Sequence, residues 1–486
     1  MKPMTEINSA KRRSTLIAVL VAGTFYMEFL DATVIATALP QMAQMFHTSP
    51  ITLSAGMSVY MLALAVFIPI CGWMADRFGS CSVFSTAIGV FTVASILCGI
   101  SMTPFQFIAA RALQGIGGSM MVPVGRLVVL HNTEKKDMIR AIAYLTWPGL
   151  LAPVIGPPLG GFITTYATWR WIFFLNVPLG IAGIIFALIL IPNRHPDNKP
   201  RLDVPGFIFD GVTCVAVMYA MDLIGRRNPP WMLIALMVAI TIGFGYMALW
   251  HAKHHPHPLL EFSALKIQTF ASSIWGGSLF RMAVQSIPFL TPLMFQIAFG
   301  MNAFDSGLMV LAIFLGNVAM KPLTTPALRR YGFRKLLIVN GILLAAAVLA
   351  CAFINPGTPR FLILAILFWG GLCRSMQFTS INTIAFADVP APKMSQANTL
   401  FSIAWQMSNG MGIAVGAVAL QMSSLIHGGH SQLTVSDFHL AFIMIAVISI
   451  ASLYDVFSLD RSAGAEVTGH AVKNSDKPAE AVPNGK

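Results

Sequence analysis

About fourteen runs of roughly twenty apolar residues follow one another along this chain, and that series restricts the fold more than any single motif does. Inside lipid every backbone N–H and C=O needs an internal partner, so runs of this kind become helices. They fall near 14–38, 51–72, 81–101, 104–128, 139–163, 169–192, 204–224, 231–250, 270–298, 303–322, 333–354, 359–384, 396–425 and 437–458. Only 10% of the 486 residues are charged, against roughly 25% in soluble chains. The expected fold is therefore an all-α polytopic membrane protein.

The net charge of +12 follows topology. With the N-terminus inside, the inner loops hold Lys135, Lys136, Arg140, Arg194, Lys199, Arg201, Lys253, Lys266, Arg329, Arg330, Arg334, Lys335 and Lys393. The outer loops hold only Arg170, Arg226, Arg227 and Arg360. That bias places both termini in the cytoplasm and argues against nucleic acid as a partner. Residues 1–13 read as a basic cytoplasmic N-terminus and 461–486 as a disordered cytoplasmic tail. Lys11-Arg12-Arg13 precedes an apolar run too long for a signal peptide. The six cysteines are scattered and form no C-x-x-C pair, so they read as small apolar fillers. His251, His254, His255 and His257 share an inner loop but lack a fixed ligand spacing, so no metal site is expected.

Two carboxylates interrupt the first apolar run. Glu28 and Asp31 are three residues apart, which puts them on one helical face. A charge at the centre of a bilayer helix costs about 2.5–3.5 kcal/mol on insertion scales. Arg111 lies in the fourth run. It and Asp31 each sit about seven residues, or about 10 Å, from their helices' outer ends. Equal depth allows them to pair. Burial opposes the charge on an acid and a nearby Arg favours it. A substrate that disturbed the pair would therefore change its protonation. The structural alternative is a static ion pair that fixes packing. Glu28 reads either as a second proton or cation site or as a hydrogen-bonded spectator.

Gly72-Trp73-Met74-Ala75-Asp76-Arg77-Phe78-Gly79 joins helices 2 and 3, and the stretch from Lys321-Pro322 to Arg334-Lys335 joins helices 10 and 11. With helices 7 and 8 set aside, these two inner turns occupy matching places in two six-helix halves. Repeated halves are a transporter signature, with the substrate site between them near the midplane.

The chain resembles the major facilitator superfamily, in particular its fourteen-helix drug:proton antiporters. The stretches that carry this are Leu30-Asp31 to Leu39-Pro40, Gly72 to Gly79, Arg111-Ala112-Leu113-Gln114-Gly115-Ile116-Gly117-Gly118, Gly156-Pro157-Pro158-Leu159-Gly160-Gly161 and Trp169 to Gly180. Met121 to Arg126 is similar to multidrug-resistance members. The resemblance implies a first half over 14–192, an inserted helix pair over 204–250 and a second half over 270–458. It implies proton coupling by Asp31 and Arg111, with Glu28 as an acid that relatives commonly lack. It implies a gating loop with Gly72, Asp76, Arg77 and Gly79, although Ser80-Cys81-Ser82 stands where basic residues are common. In helix 5, Gly149, Gly156, Pro157, Gly160 and Gly161 would form the pliable seam that marks antiporters; a merely kinked helix is the alternative.

In the second half, Arg281, Gln285, Arg374, Gln377 and Asn382 are the cavity candidates, with interhelical hydrogen bonding as the alternative use. The expected function is a proton-coupled antiporter in the inner membrane. It exports amphipathic drugs or toxic compounds by alternating access and is driven by the proton gradient without a cofactor. Its partners would be small amphipathic substrates, protons and the bilayer; a periplasmic adaptor is not indicated by the sequence. The alternative is a transporter of a specific metabolite (an organic acid, amino acid or sugar), with Arg111, Arg281 and Arg374 binding an anion. No Walker A motif supports ATP drive, and no catalytic constellation supports an enzyme.

Overall fold

The computed structural model describes residues 4–133, 138–192, 202–226, 228–256, 258–390, 393–428 and 433–460. The expected tail, 461–486, lies outside these, as do Lys135, Lys136, Arg194, Lys199, Arg201, Arg227 and His257. The described residues form fourteen helices of fifteen residues or more. In the first half these are α1 (Met4–Val34), α2 (Pro50–Phe67), α3 (Ser80–Ile100), α4 (Pro104–His131), α5 (Met138–Tyr166) and α6 (Asn176–Leu190). Next come α7 (Val204–Ile224) and α8 (Trp231–His254). The rest are α9 (Gln268–Leu293), α10 (Ala303–Tyr331), α11 (Phe333–Cys351), α12 (Arg360–Ala385), α13 (Met394–Ile426) and α14 (Val435–Ala451).

Twelve helical stretches among the described residues are long and apolar enough to cross a membrane, where the sequence reading expects about fourteen. Helices α5 and α9 fall outside those twelve. Helix α9 carries Arg281 and Gln285 along its middle, and α5 is rich in glycine and proline. Both still pack lengthwise in the bundle, α5 against α1 and α10, and α9 against α12, α13 and α14.

The helix starts follow from local sequence. Ser49, Thr103 and Asn302 cap α2, α4 and α10 by accepting the amides of Thr52 (3.1 Å), Gln106 (3.2 Å) and Asp305 (2.8 Å). Pro50 and Pro104 occupy the first helical positions, where a missing N–H costs nothing. Thr434 and Asp437 form a reciprocal capping box at α14. These caps lie at one end of the bundle, called here the far end. The opposite, basic end holds the turns at Gly79 and Gly332.

Those turns correct the sequence reading. The stretch Gly72–Gly79 is not an open loop, because Cys71–Phe78 is helical and only Gly79 breaks the path into α3. Likewise α10 runs through Lys321, Pro322 and Pro326 to Tyr331, and only Gly332 separates it from α11. Gly79 (φ 86°) and Gly332 (φ 71°) occupy backbone conformations that L side chains rarely adopt. The two halves use the same single-residue break at matching positions.

The halves meet through two helix pairs, α5 with α10 and α2 with α13. Helices α7 and α8 pack on each other, and α7 lies against α2 and α13. At the far end one hydrophobic cluster joins both halves, including Val34, Leu39 and Met42 with Leu293, Phe295 and Phe438. Toward the basic end the larger clusters separate, one built from Ile17, Phe84 and Val128 and others from Phe280, Leu337, Phe270 and Phe401, while a small cluster of Ala65, Leu260 and Ile403 still spans the halves. The far-end cluster holds the halves together, beside a pocket of about 1760 Å³ lined by residues of α2, α7 and α13.

A central cavity and a buried ion pair

Polar contacts seal the far end as well. A 3₁₀ turn, Ile35–Thr37, follows α1, and a π turn, Met294–Ala298, follows α9. Gln296 Nε2 in the second donates to the Thr37 carbonyl in the first at 3.0 Å. The Phe304 amide donates to Thr165 Oγ1 at 3.1 Å. Glycines bring the backbones together here. A Cβ on Gly161 would overlap the Ala303 carbonyl, and one on Gly307 would overlap the Pro157 carbonyl. Gly156 and Gly160 face α1, against Thr33 Oγ1 and the Val34 carbonyl. The helix 5 glycines thus divide their work: two fix α5 on α1, and Gly161 fixes it on the opposite half.

Between the halves lies a cavity of about 350 Å³, within the lower range of small-molecule sites. Helix α1 brings Glu28 and Phe29, and α2 brings Met57, Tyr60 and Met61. Gly149, Pro153 and Pro157 come from α5. The second half contributes Gln285, Phe289, Phe314, Asn317, Lys321, Arg374, Phe378, Asn382, Trp405, Gln406 and Asn409. Of the residues expected here, Gln285, Arg374 and Asn382 are present, and Arg281 and Gln377 are not.

The reason is helix face. Arg281, 1% exposed, turns away from the cavity. Its Nη2 donates to Ser278 Oγ (3.2 Å) and the Ser273 carbonyl (3.3 Å), and its guanidinium lies 5.4 Å from the Phe401 ring centroid and 5.8 Å from that of Trp405. Gln377 faces α11, donating to the Leu337 carbonyl (3.2 Å) and accepting from Asn340 Nδ2 (2.8 Å). Both act between helices.

Asp31 and Arg111 also lie outside the cavity. Asp31 is 2% and Arg111 1% exposed. Arg111 Nη1 reaches Asp31 Oδ2 at 2.5 Å, and the same nitrogen donates to Gln114 Oε1 at 2.6 Å. Asp31 Oδ1 accepts from Gln114 Nε2 (2.9 Å) and Asn176 Nδ2 (3.0 Å). Ser95 Oγ accepts from the same two amides at 2.9 and 3.3 Å. Three helices, α1, α4 and α6, thus meet on one carboxylate, and Ser95 of α3 braces the two amides. Among the described residues only donors point at Asp31.

Tyr60 separates this network from the cavity. Arg111 lies over its ring at 4.2 Å, while Tyr60 itself lines the cavity. Its hydroxyl and Glu28 Oε2 are buried without a hydrogen-bond partner. Sequence reasoning assigned no role to Tyr60, Ser95 or Lys321. A lone tyrosine inside the α2 apolar run was the available signal for the first. For Lys321, it was the distance of ten residues back from Tyr331, two to three helical turns inside α10.

Asp76 is half-buried and Arg77 exposed, on the short helix before Gly79. Asp222 pairs with Arg226 at 3.2 Å. At the basic end, Asp203, His251 and His255 bring ligand atoms within 4.8 Å of one another, a geometry that could hold a metal ion. Asp203, distant in sequence from the histidines, supplies what the histidine spacing lacked. Its carboxylate is already engaged by His251 Nε2 (2.7 Å) and by the amides of Gly206 and Leu259 (3.0 Å each).

Paired halves, a cavity between them and an ion pair buried beside it define a polytopic membrane transporter. Residues 21–413 match the Major Facilitator Superfamily, and the chain belongs to that family. It is 35% identical over 457 residues to a protein of Pectobacterium carotovorum subsp. carotovorum described as "Putative multidrug resistance protein MdtD", covering 92% of this chain and 96% of that one. A like-named protein of Escherichia coli O6:H1 is 34% identical over 410 residues, 84% of this chain and 86% of that one. Among solved structures, a D-xylose–proton symporter superposes with a TM-score of 0.66 at 12% identity, covering 93% of this chain and 98% of that one. A POT family transporter in complex with 5-aminolevulinic acid gives 0.66 at 14%, covering 91% and 95%. At such identities these two speak for the fold alone.

Proposed function

We propose that this chain is a proton-coupled antiporter that exports amphipathic compounds by alternating access, in the inner membrane with its basic end and both termini in the cytoplasm. One observation carries the reading. An acid–base pair held between α1, α4 and α6 lies behind the cavity wall, and the Tyr60 ring both lines the cavity and sits 4.2 Å from the Arg111 guanidinium. Substrate pressing on Tyr60 moves Arg111, and Arg111 sets whether Asp31 can take a proton. Asp31 protonation in turn frees Arg111 and loosens α4 and α6 from α1. Proton and substrate are thus coupled through one aromatic ring. The far-end seal of Gln296, Gly161 and Gly307 is what must open for release. Support for drugs as cargo comes from the MdtD relatives and from the Phe, Met and Trp lining, since polarizable side chains suit varied apolar ligands. The basic end faces the cytoplasm by the positive-inside rule. The experiment is proteoliposomes presented with a panel of amphipathic cations and acids while internal pH is read. Proton movement dependent on a panel compound is the expected result, and flux without proton movement overturns the coupling.

A further inference from the structure

Among the described residues, two cations and one acid line the cavity. Lys321 and Arg374 come from the second half and Glu28 from the first. Arg111 is spent on Asp31 and Arg281 faces away, so Arg374 is the arginine left to a substrate. Among the described residues neither Arg374 nor Lys321 has a carboxylate within 4 Å. Arg374 Nη2 makes one long contact, to Gln285 Oε1 at 3.4 Å, while its Nε and Nη1 are buried without an acceptor. Its guanidinium lies between two rings, 5.7 Å from the Phe314 centroid and 5.6 Å from that of Phe378. Among the described residues Lys321 Nζ has the Thr379 hydroxyl alone, at 3.2 Å. A guanidinium held by aromatic faces with donors unfilled is a carboxylate receptor awaiting its anion, because a buried charged donor left unpaired is costly and a charge-assisted bond removes that cost. A site built for lipophilic cations would carry the opposite excess.

We propose that the substrate is an amphipathic organic acid whose carboxylate sits on Arg374, with Lys321 adding charge on the same wall and the apolar body lying among Phe289, Phe314 and Trp405. This rests on the export reading for the direction of transport, but not for binding. It also replaces the three-arginine anion site of the metabolite alternative with one arginine and one lysine.

The test is binding of three matched probes to the purified, detergent-solubilised full chain: 2-naphthoate, neutral 2-naphthamide and 2-naphthylmethyl-trimethylammonium. Quenching of tryptophan emission reports occupancy, since Trp405 lines the cavity. The expected result is 2-naphthoate at least about tenfold tighter than either other probe. Arg374→Gln abolishes that preference, Arg374→Lys keeps part of it, and Lys321→Gln weakens it severalfold. An unchanged gel-filtration profile guards against misfolding, and Arg374→Lys carries the test if Arg374→Gln does not fold. Tighter binding of the cation, or a preference that survives Arg374→Gln, overturns the proposal. Proteoliposome flux separates the two readings. Preferential naphthoate binding without proton exchange removes antiport and leaves the substrate class standing. Cation-driven proton exchange without naphthoate binding does the reverse.

Discussion

Glu28 and Asp31 are one helical turn apart on α1, yet only Glu28 lines the cavity. Asp31 is fully engaged by Arg111, Gln114 and Asn176, whereas Glu28 Oε2 has no partner. One acid belongs to the protein's interior network and the other to the cavity wall. Their functions should separate under mutation.

Glu28→Gln removes the one carboxyl that lines the cavity among the described residues and leaves the Asp31 network intact. If the cargo is an anion, that carboxyl opposes it whenever it is ionised. Binding of 2-naphthoate should tighten by at least about threefold, measured by tryptophan quenching, while Asp31-dependent proton movement persists. Weaker naphthoate binding in Glu28→Gln would place the acid among the substrate's hydrogen-bond partners instead.

Gly161→Ala should act on the far-end seal. The added Cβ meets the Ala303 carbonyl, which is backbone and cannot rotate away. Overpacking of this kind costs about 1–3 kcal/mol, and the cost disappears when the halves part. The variant should melt lower and shift toward the state open at the far end. Maleimide labelling of Thr37→Cys, buried in this state under Gln296, should then run faster in the Gly161→Ala background than without it.

Gly79 and Gly332 should be equivalent in the cost of replacement. Each has a positive φ that a Cβ strains, by about 1–3 kcal/mol. Gly79→Ala and Gly332→Ala should each lower the melting temperature, and an effect confined to one of them would break the symmetry inferred for the two turns.

How far the sequence reached follows from what kind of signal each residue gave. A charge inside an apolar run is visible, and helical rise sets its depth, so the pairing of Asp31 with Arg111 was legible. The face a residue presents is not legible from depth. Arg281 sits at a plausible depth but points to Phe401 and Trp405, and Gln377 points to Asn340. Lys321 was misjudged for a different reason. The apolar run read as ending at residue 322 put it in an inner turn, but α10 accommodates Pro322 and Pro326 and continues to Tyr331. Proline removes local donors, and the packing of α10 on α5 and α12 holds the helix through the gap. The Tyr60 layer left only the faint signal of a lone tyrosine, because Tyr60 comes from a third helix and its position depends on how α2 packs against α4.

The Asp203 clasp at the basic end gives a pH prediction. Burial pushes its carboxyl up, but the amides of Leu259 and Gly206 and the His251 ring more than offset this and hold it below the ordinary value of 3.8. A depressed carboxyl contributes stability above its unfolded value, and that contribution is lost as pH falls through the folded value. The melting-temperature gap between wild type and Asp203→Asn should be constant above about pH 5 and should shrink below about pH 4. A gap that stays constant down to pH 3 would mean that the carboxyl is not held low.

The most direct measurement is proton movement across proteoliposomes containing Asp31→Asn, driven by whichever panel compound the wild-type protein exchanges. Asparagine preserves the shape of the side chain and its place beside Gln114 and Asn176 but cannot carry the charge that holds Arg111. The account predicts a fully inserted variant whose substrate-driven proton movement falls at least about a hundredfold, a loss of about 2.7 kcal/mol in transition-state terms. Proton movement at the wild-type rate in Asp31→Asn would contradict it and remove the buried pair from the mechanism.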